Sequence, residues 1–154
     1  MAKLAPEDVV IRVMRESDVE PVTEIDYKVF GTRRPEYYDR KVGEILDEES
    51  DRLVTSLVAE VGDQVVGFIM GNVYLGEFGI PETMASVDTI GVDPDHQRQG
   101  IAGYLLEEFN TTVKKAGVDK VHTLVNWADT DLLGFFANVG FVAANTLNLK
   151  LDLE

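Results

Sequence analysis

The chain has no cysteine among its 154 residues. This absence excludes disulfide bonds, thiolate zinc sites and a nucleophilic thiol, and it is ordinary for a protein of a reducing compartment. Long apolar runs are also missing, since no stretch approaches the roughly 18 residues of a membrane span. The first residues lack the apolar core of a secretory signal. We therefore expect a cytoplasmic protein that has no membrane partner.

Basic residues are scarce. The sequence has 14 lysines and arginines against 28 aspartates and glutamates, and its formal net charge is -14 at pH 7. Such a surface repels a phosphate backbone, so nucleic acid is excluded as a partner. The acidic surface either attracts a cationic substrate such as an amine or simply keeps the protein soluble, and composition leaves both open. His96 and His122 lack metal-ligand spacing, so no metal site is expected.

The length predicts a single domain over residues 1–154. Hydrophobic periodicity and turn residues predict the element order βααβββαβαβ, which is a mixed α/β fold with helices packed on a sheet. The expected strands cover residues 9–14, 53–61, 64–74, 84–92, 120–125 and 141–153. The expected helices cover residues 17–30, 36–49, 101–116 and 129–138. Gly62 and Asp63 predict a tight hairpin between the second and third strands.

Residues 92–103 join the fourth predicted strand to the third predicted helix and give the clearest indication of a binding site. A helix start offers unpaired backbone N–H groups and a positive dipole end, and small residues let a bulky anion approach that backbone. The small residues here are Gly100, Ala102 and Gly103, and the side-chain donors beside them are Gln97, Arg98 and Gln99. The stretch is suited to a pyrophosphate, although glycines also serve tight turns and close helix packing.

Two common phosphate-binding motifs are absent from this junction. The sequence lacks Gly-x-x-x-x-Gly-Lys-Ser/Thr, which argues against a P-loop nucleotidase. A dinucleotide-binding fingerprint usually follows the first strand, whereas Gly100-x-Ala102 follows the fourth. The phosphate ligand is therefore expected to belong to another class.

Residues 87–106, which read VDTIGVDPDHQRQGIAGYLL, resemble the central motif of the GNAT superfamily of acyl-CoA-dependent N-acetyltransferases. The family motif Gln/Arg-x-x-Gly-x-Gly/Ala is matched by Gln97, Gly100 and Ala102. Residues 134–141, GFFANVGF, are similar to the family's aromatic pair and its later Gly-Phe. The predicted element order agrees with the family over nearly the whole chain.

The resemblance implies a central mixed sheet of six to seven strands, splayed after the fourth strand, with about four flanking helices. It also implies acetyl-CoA as co-substrate and no metal. The pantetheine arm would pair with the backbone of Ile90, Gly91 and Val92. The pyrophosphate would be held by the backbone amides of Gln97, Arg98, Gln99, Gly100, Ile101, Ala102 and Gly103. A bulge near Ile90 would free a backbone N–H to polarise the thioester carbonyl.

The base that the family often places on the fourth or fifth strand is not matched. The two positions that usually hold a glutamate correspond to Ser86 and Leu124. Asp88 lies two residues after Ser86, on the same face of the strand, and is our candidate base, directly or through water. A purely structural role for Asp88, as a hydrogen-bond acceptor at the sheet split, is equally open.

The general acid that many relatives carry is also unmatched. Their tyrosine belongs to the aromatic pair before Gly-Phe, and this chain has Phe135 and Phe136 there. Proton return would then fall to water, Tyr74 or Tyr104. A thiolate whose conjugate thiol has a pKa of about 8.5 can leave without full protonation.

These patterns predict an enzyme that transfers an acetyl group from acetyl-CoA to a primary amine of a small molecule or peptide. Without a cysteine nucleophile, direct attack is favoured over a covalent relay. The alternative is a non-catalytic acyl-CoA-binding module that has lost the general acid, and a third reading is a nucleotide-binding regulatory domain. The acceptor amine, the acyl-chain length and the formation of a homodimer stay open.

Overall fold

The computed structural model describes residues 2–45 and 55–154, which fall into two units, Met1–Leu124 and Val125–Glu154. The first unit holds one sheet and three helices, and the second holds a fourth helix. The strands are β1 (Val10–Val13), β2 (Leu57–Val61), β3 (Gln64–Leu75), β4 (Thr83–Val92) and β5 (Val121–Thr123). The helices are α1 (Val19–Phe30), α2 (Pro35–Ile45), α3 (Ile101–Lys115) and α4 (Thr130–Asn138).

The five strands form one mixed sheet in the order β1-β2-β3-β4-β5. The first four strands pair antiparallel, and β5 pairs parallel to β4. The predicted hairpin between β2 and β3 is confirmed, and Gly62 supplies the left-handed backbone of its turn with a φ of 62°. The mixed α/β fold class expected from the sequence is therefore confirmed.

The sheet carries helices on both faces. The face under α1 and α2 holds an apolar core. Its fully buried members are Met14, Val22, Ile25, Tyr38, Val42, Val58, Phe68 and Met70. On the other face, α3 packs against β3 at two glycines. A Cβ added to Gly67 would lie 3.1 Å from Ile101 Cγ2, and one added to Gly71 would lie 2.7 Å from the Phe109 ring. The absence of side chains at these glycines lets the helix approach the sheet closely.

Two helices end as their glycines predict. At the end of α3, the Gly117 N–H donates to the Lys114 carbonyl at 3.0 Å and the Val118 N–H donates to the Val113 carbonyl at 3.1 Å. This hydrogen-bond pair is a Schellman motif, and it satisfies carbonyls that the helix itself leaves unpaired. Gly140 ends α4 in the same way, with the Phe141 N–H donating to the Phe136 carbonyl at 3.0 Å.

The predicted last strand over residues 141–153 is wrong, because the structure assigns no strand to these residues. Their alternating side chains suit a strand, but a strand also needs a neighbouring backbone to complete its hydrogen bonds. The only regular element of the second unit is the helix α4, which offers no such partner. The described sheet therefore has five strands instead of six to seven. Residues 46–54, which hold the ends of two predicted elements, lie outside the described residues.

None of the helices within residues 2–45 and 55–154 has the length and apolar content to cross a membrane.

Candidate active site

The outer edge of β4 is paired along only part of its length. The strand β5 pairs with Ala85, Ser86 and Val87, and Thr123 Oγ1 donates to the Val87 carbonyl at 2.9 Å. Beyond Val87, no strand in the described part of the chain pairs with this edge over residues 88–92. The expected splay after the fourth strand is confirmed. An unpaired edge of this kind presents backbone groups to an extended ligand.

The pairing of β4 with β3 contains a β-bulge. It lies directly after Val87, where β5 stops pairing with the other edge of β4. Met70 pairs with Thr89 and the next residue, Gly71, pairs with Val87, so Asp88 is the extra residue of the bulge. We expected the bulge near Ile90, and the structure places it two residues earlier. The glycine opposite the bulge explains the position, because a Cβ on Gly71 would lie only 2.1 Å from the Ser86 carbonyl oxygen. Only a residue without a side chain allows this approach of the two backbones.

The carboxylate of Asp88 is held by two side chains. Ser86 Oγ donates to Asp88 Oδ1 at 2.7 Å, and Asn72 Nδ2 donates to Asp88 Oδ2 at 2.5 Å. Asp88 is exposed, and each oxygen keeps a further lone pair for another donor. Sequence reasoning identified Asp88 but missed Asn72. A polar residue in the otherwise apolar middle of β3 was the available signal.

The Asp88 carboxylate and α3 lie on opposite faces of the sheet. Asn72 follows Met70 by two residues on β3, so both side chains lie on the face covered by α1 and α2. Gly71, between them, faces Phe109 of α3. The unpaired edge of β4, residues 88–92, therefore has the Asp88 carboxylate on one face of the sheet and α3 on the other.

The loop before α3 has the backbone geometry of an anion site. A 3-10 turn, Pro94–His96, follows β4, and then Arg98 and Gly100 adopt left-handed conformations with φ values of 64° and 86°. Gly100 is the N-cap of α3 and has no side chain to cover the N–H groups of the first turn. These N–H groups can therefore bind an anion.

The side chains of this loop differ in whether they are free to contact a ligand. Arg98 is exposed, whereas Gln97 Nε2 donates to the Val92 carbonyl at 3.3 Å and so supports the turn. The Ile101 side chain is buried in the core, which leaves only its backbone for a ligand. Gln99, Ala102 and Gly103 are half-buried. The structure thus brings the predicted residues 97–103 together at the start of α3.

Asp93, which sequence reasoning missed, anchors this loop. Its Oδ1 accepts the Asp95 N–H at 3.0 Å, its Oδ2 accepts Lys28 Nζ at 2.9 Å, and its own N–H donates to the Val66 carbonyl at 2.8 Å. Burial alone would raise the pKa of Asp93, but the hydrogen bonds from Asp95 and Lys28 outweigh it and hold the pKa below its usual value. Asp93 therefore ties the loop to α1 through its buried carboxylate and to β3 through its backbone N–H.

A cavity of about 420 Å³ lies beside α1 and the β2–β3 hairpin. None of residues 88–92 or 97–103 lines it, and its two cations are already paired. Arg12 lies between Asp18 and Glu60, at 2.7 and 2.8 Å, and Lys28 is paired with Asp93. Within residues 2–45 and 55–154 no group of three or more His, Asp or Glu side chains is placed to hold a metal ion. The cavity therefore lies outside residues 88–92 and 97–103, although Asp93 lines it.

Comparison with known proteins identifies the family of this chain. The model of the acetyltransferase (GNAT) family matches residues 19–141, so the chain belongs to the GNAT family. An acetyltransferase of Pectobacterium atrosepticum is 26% identical over 139 residues, covering 90% of this chain and 92% of that protein.

Solved structures have the same fold. An aminoglycoside N-acetyltransferase in complex with CoA matches with a TM-score of 0.78 and 17% identity, over 97% of this chain and 99% of that one. An aminoglycoside acetyltransferase from an uncultured soil sample, in complex with sisomicin, matches with a TM-score of 0.74 and 17% identity, over 96% and 98%. These likenesses support the GNAT fold over 96–97% of the chain.

Proposed function

We propose that this chain transfers an acetyl group from acetyl-CoA to a primary amine of a small molecule or peptide by direct attack. The observation that carries the proposal is the continuity between the left-handed loop before α3 and the unpaired edge of β4 over residues 88–92. An anion site followed by an open strand edge suits a ligand that has a pyrophosphate at one end and an amide-bearing arm at the other.

The residues present fit such a ligand. The N–H groups of residues 97–103 and the guanidinium of Arg98 would hold the pyrophosphate, because Gly100 places no side chain of its own at the helix start. The backbone of Ile90, Gly91 and Val92 would pair with the pantetheine arm. When bound, acetyl-CoA supplies the activated acyl carbon. The bulge at Asp88 disrupts regular pairing where a backbone N–H would polarise the thioester carbonyl.

Asp88 is proposed to prepare the acceptor. An alkyl ammonium has a pKa of about 10.4, so a proton must leave before the nitrogen can attack. Asp88 is exposed and oriented by Ser86 and Asn72, and it would receive this proton directly or through a water molecule. The nitrogen then bonds to the acyl carbon as the carbon–sulfur bond breaks. The electron pair of that bond leaves on sulfur, which takes up one proton from solvent, and the amide nitrogen loses one.

A cationic acceptor fits the charge of the protein. The net charge of -14 raises the local concentration of cations. Two structural neighbours are named as aminoglycoside acetyltransferases, and aminoglycosides carry several amines. The acceptor class proposed here is therefore an amine with positive charge.

The test is CoA binding by calorimetry, followed by thiol release with acetyl-CoA and a panel of polyamines, aminoglycosides, amino acids and peptides. Gly100→Asp should abolish CoA binding, because it adds a side chain at a φ of 86° and a negative charge beside the pyrophosphate. Gly43→Asp adds the same charge on α2, where a Cβ meets nothing within 4 Å, and should bind normally. CoA binding without turnover on any amine would instead favour the non-catalytic module, and no CoA binding would overturn the proposal.

A further inference from the structure

The segment before β1 lies across the start of α3. The Leu4 N–H donates to the Gln99 carbonyl at 2.8 Å, and the Tyr104 hydroxyl donates to the Leu4 carbonyl at 2.6 Å. Both backbone groups of Leu4 are therefore engaged, one by the loop and one by the first turn of α3. This arrangement fixes the position of the residue before it.

Lys3 is thereby held over the N-cap of α3. A Cβ added to Gly100 would lie 2.8 Å from Lys3 Cγ and 3.0 Å from Lys3 Cε, so the lysine side chain runs along the face of this glycine. Its ammonium lies 5.0 Å from the centroid of the Tyr104 ring, within the range of a cation–π contact. Lys3 is exposed, and no carboxylate within residues 2–45 and 55–154 forms an ion pair with it.

A second cation at this point would help to balance the negative charge of a bound pyrophosphate. Between residues 53 and 113 the sequence has one lysine or arginine, which is Arg98. A pyrophosphate brings two negative charges to a protein that already carries a net charge of -14. The positive end of a helix dipole is equivalent to about half a charge. Together with the guanidinium of Arg98 it does not balance the two negative charges of the pyrophosphate.

We infer that Lys3 is a second cationic ligand of the acyl-CoA pyrophosphate, held over Gly100 by the two hydrogen bonds of Leu4. This inference rests on the proposed function, because it assigns a further residue to the same phosphate site. It also gives Tyr104 a positioning role. The Tyr104 hydroxyl is occupied by the Leu4 carbonyl and so does not return a proton to the departing thiolate.

The experiment measures the binding of CoA, dephospho-CoA and pantetheine to the full chain by calorimetry at low ionic strength. Lys3→Ala should weaken CoA and dephospho-CoA by about five-fold each, a size typical of a partly exposed charge-assisted contact, and Lys3→Arg should restore both. Pantetheine, which has no pyrophosphate, should bind equally to all variants. The difference in CoA affinity between Lys3→Ala and the wild type should shrink at high salt because the contact is exposed. Lys115→Ala, at the far end of the same helix, is the matched control and should leave all affinities unchanged.

The role of Tyr104 is tested by a double-mutant cycle. Tyr104→Phe removes only the hydroxyl that holds Leu4, so it should weaken CoA by about two-fold alone and add nothing in the Lys3→Ala background. Unchanged CoA binding by Lys3→Ala would overturn the inference, as would an equal loss for pantetheine. A loss confined to CoA would also overturn it, because Lys3 would then contact the 3′-phosphate. If the wild-type chain binds no CoA at all, the proposed function itself has failed.

Discussion

Lys28 Nζ lies 2.9 Å from Asp93 Oδ2, and this ion pair joins α1 to the turn that leads into the loop before α3. The second carboxylate oxygen of Asp93 accepts the N–H of Asp95 at 3.0 Å. Asp93 is buried, whereas Lys28 is partly exposed. The shape of the turn therefore depends on a carboxylate that lies outside residues 97–103, the residues proposed to bind the pyrophosphate.

Asp93→Ala should destabilise the fold and weaken CoA binding together. The substitution leaves a turn N–H without its acceptor, and a lost hydrogen bond of this kind costs about 1–3 kcal/mol in the free energy of unfolding. Urea unfolding and calorimetry measure the two effects. Asp95→Ala removes an exposed neighbouring carboxylate and should change the unfolding free energy by less than about 0.5 kcal/mol. An Asp93→Ala variant with wild-type stability and affinity would contradict this account of the turn.

The stability of the fold should fall in acid through Asp18. Burial alone would raise the pKa of Asp18, but hydrogen bonds from the Arg12 side chain and the Arg15 N–H outweigh it and lower the pKa. A carboxyl whose pKa is lower in the folded state adds stability above its unfolded pKa of about 3.9, and this stability is lost as pH falls through the folded pKa. Asp93 has the same direction of shift and adds to the effect.

Asp18→Asn should therefore be less stable than the wild type at pH 7, and the difference should shrink as the pH is lowered below about 4. The measurement is urea unfolding at a series of pH values from 7 to 3. Asp63→Asn, at the exposed hairpin turn, is the control and should follow the wild-type curve. A constant difference between Asp18→Asn and the wild type across this range would show that the charge of Asp18 is not responsible.

The features that were predictable from the sequence are local ones. The hairpin at Gly62 and the end of α3 at Gly117 each depend on a few consecutive residues and a backbone conformation that glycine favours. Asp129 caps α4 by accepting the Leu132 N–H at 3.1 Å, and an aspartate directly before a helix favours such a cap. The residues of the loop before α3 were found in the same way, because their small side chains and helix start are adjacent in the chain.

The features that escaped prediction depend on residues far apart in the sequence. Asn72 reaches Asp88 across 16 residues, and Lys28 reaches Asp93 across 65. The position of the bulge depends on Gly71, the residue of β3 that lies opposite it, and the sequence of β3 alone does not show which residue of β4 lies there. The prediction of a last strand over residues 141–153 is wrong for a related reason. Alternating apolar and polar residues describe the side chains of a strand, but a strand forms only where a neighbouring backbone completes its hydrogen bonds.

Gly71→Ala should be strongly destabilising. The new Cβ would lie 2.1 Å from the Ser86 carbonyl oxygen and 2.7 Å from the Phe109 ring, so either the bulge or α3 must move, at a cost of about 3 kcal/mol. Gly43→Ala is the matched control, because it lies within α2 and its Cβ meets nothing within 4 Å. That variant should gain about 0.5–1 kcal/mol from helix propensity. Thermal unfolding of both variants checks the opposite signs, and an unchanged or raised unfolding temperature for Gly71→Ala would refute the close approach at Gly71.

Asp88→Asn should remove most of the turnover while leaving CoA binding intact. The amide cannot accept a proton from an ammonium, and loss of a general base lowers the rate by about 100-fold or more. Thiol release with the best amine of the panel gives kcat/KM, and calorimetry gives the affinity for CoA. Ser86→Ala removes one hydrogen bond that orients the carboxylate and should cost only a few-fold.

The pH profile separates the role of Asp88 as a base from a structural one. Because the neutral fraction of an alkyl amine grows as pH approaches about 10.4, the need for a base declines with rising pH. The ratio of wild-type to Asp88→Asn rates should therefore fall between pH 7 and pH 10. Glu82→Gln, which changes an exposed carboxylate near the start of β4, should keep the wild-type profile. A rate ratio for Asp88→Asn that does not vary with pH would assign Asp88 to holding the bulge instead of moving a proton.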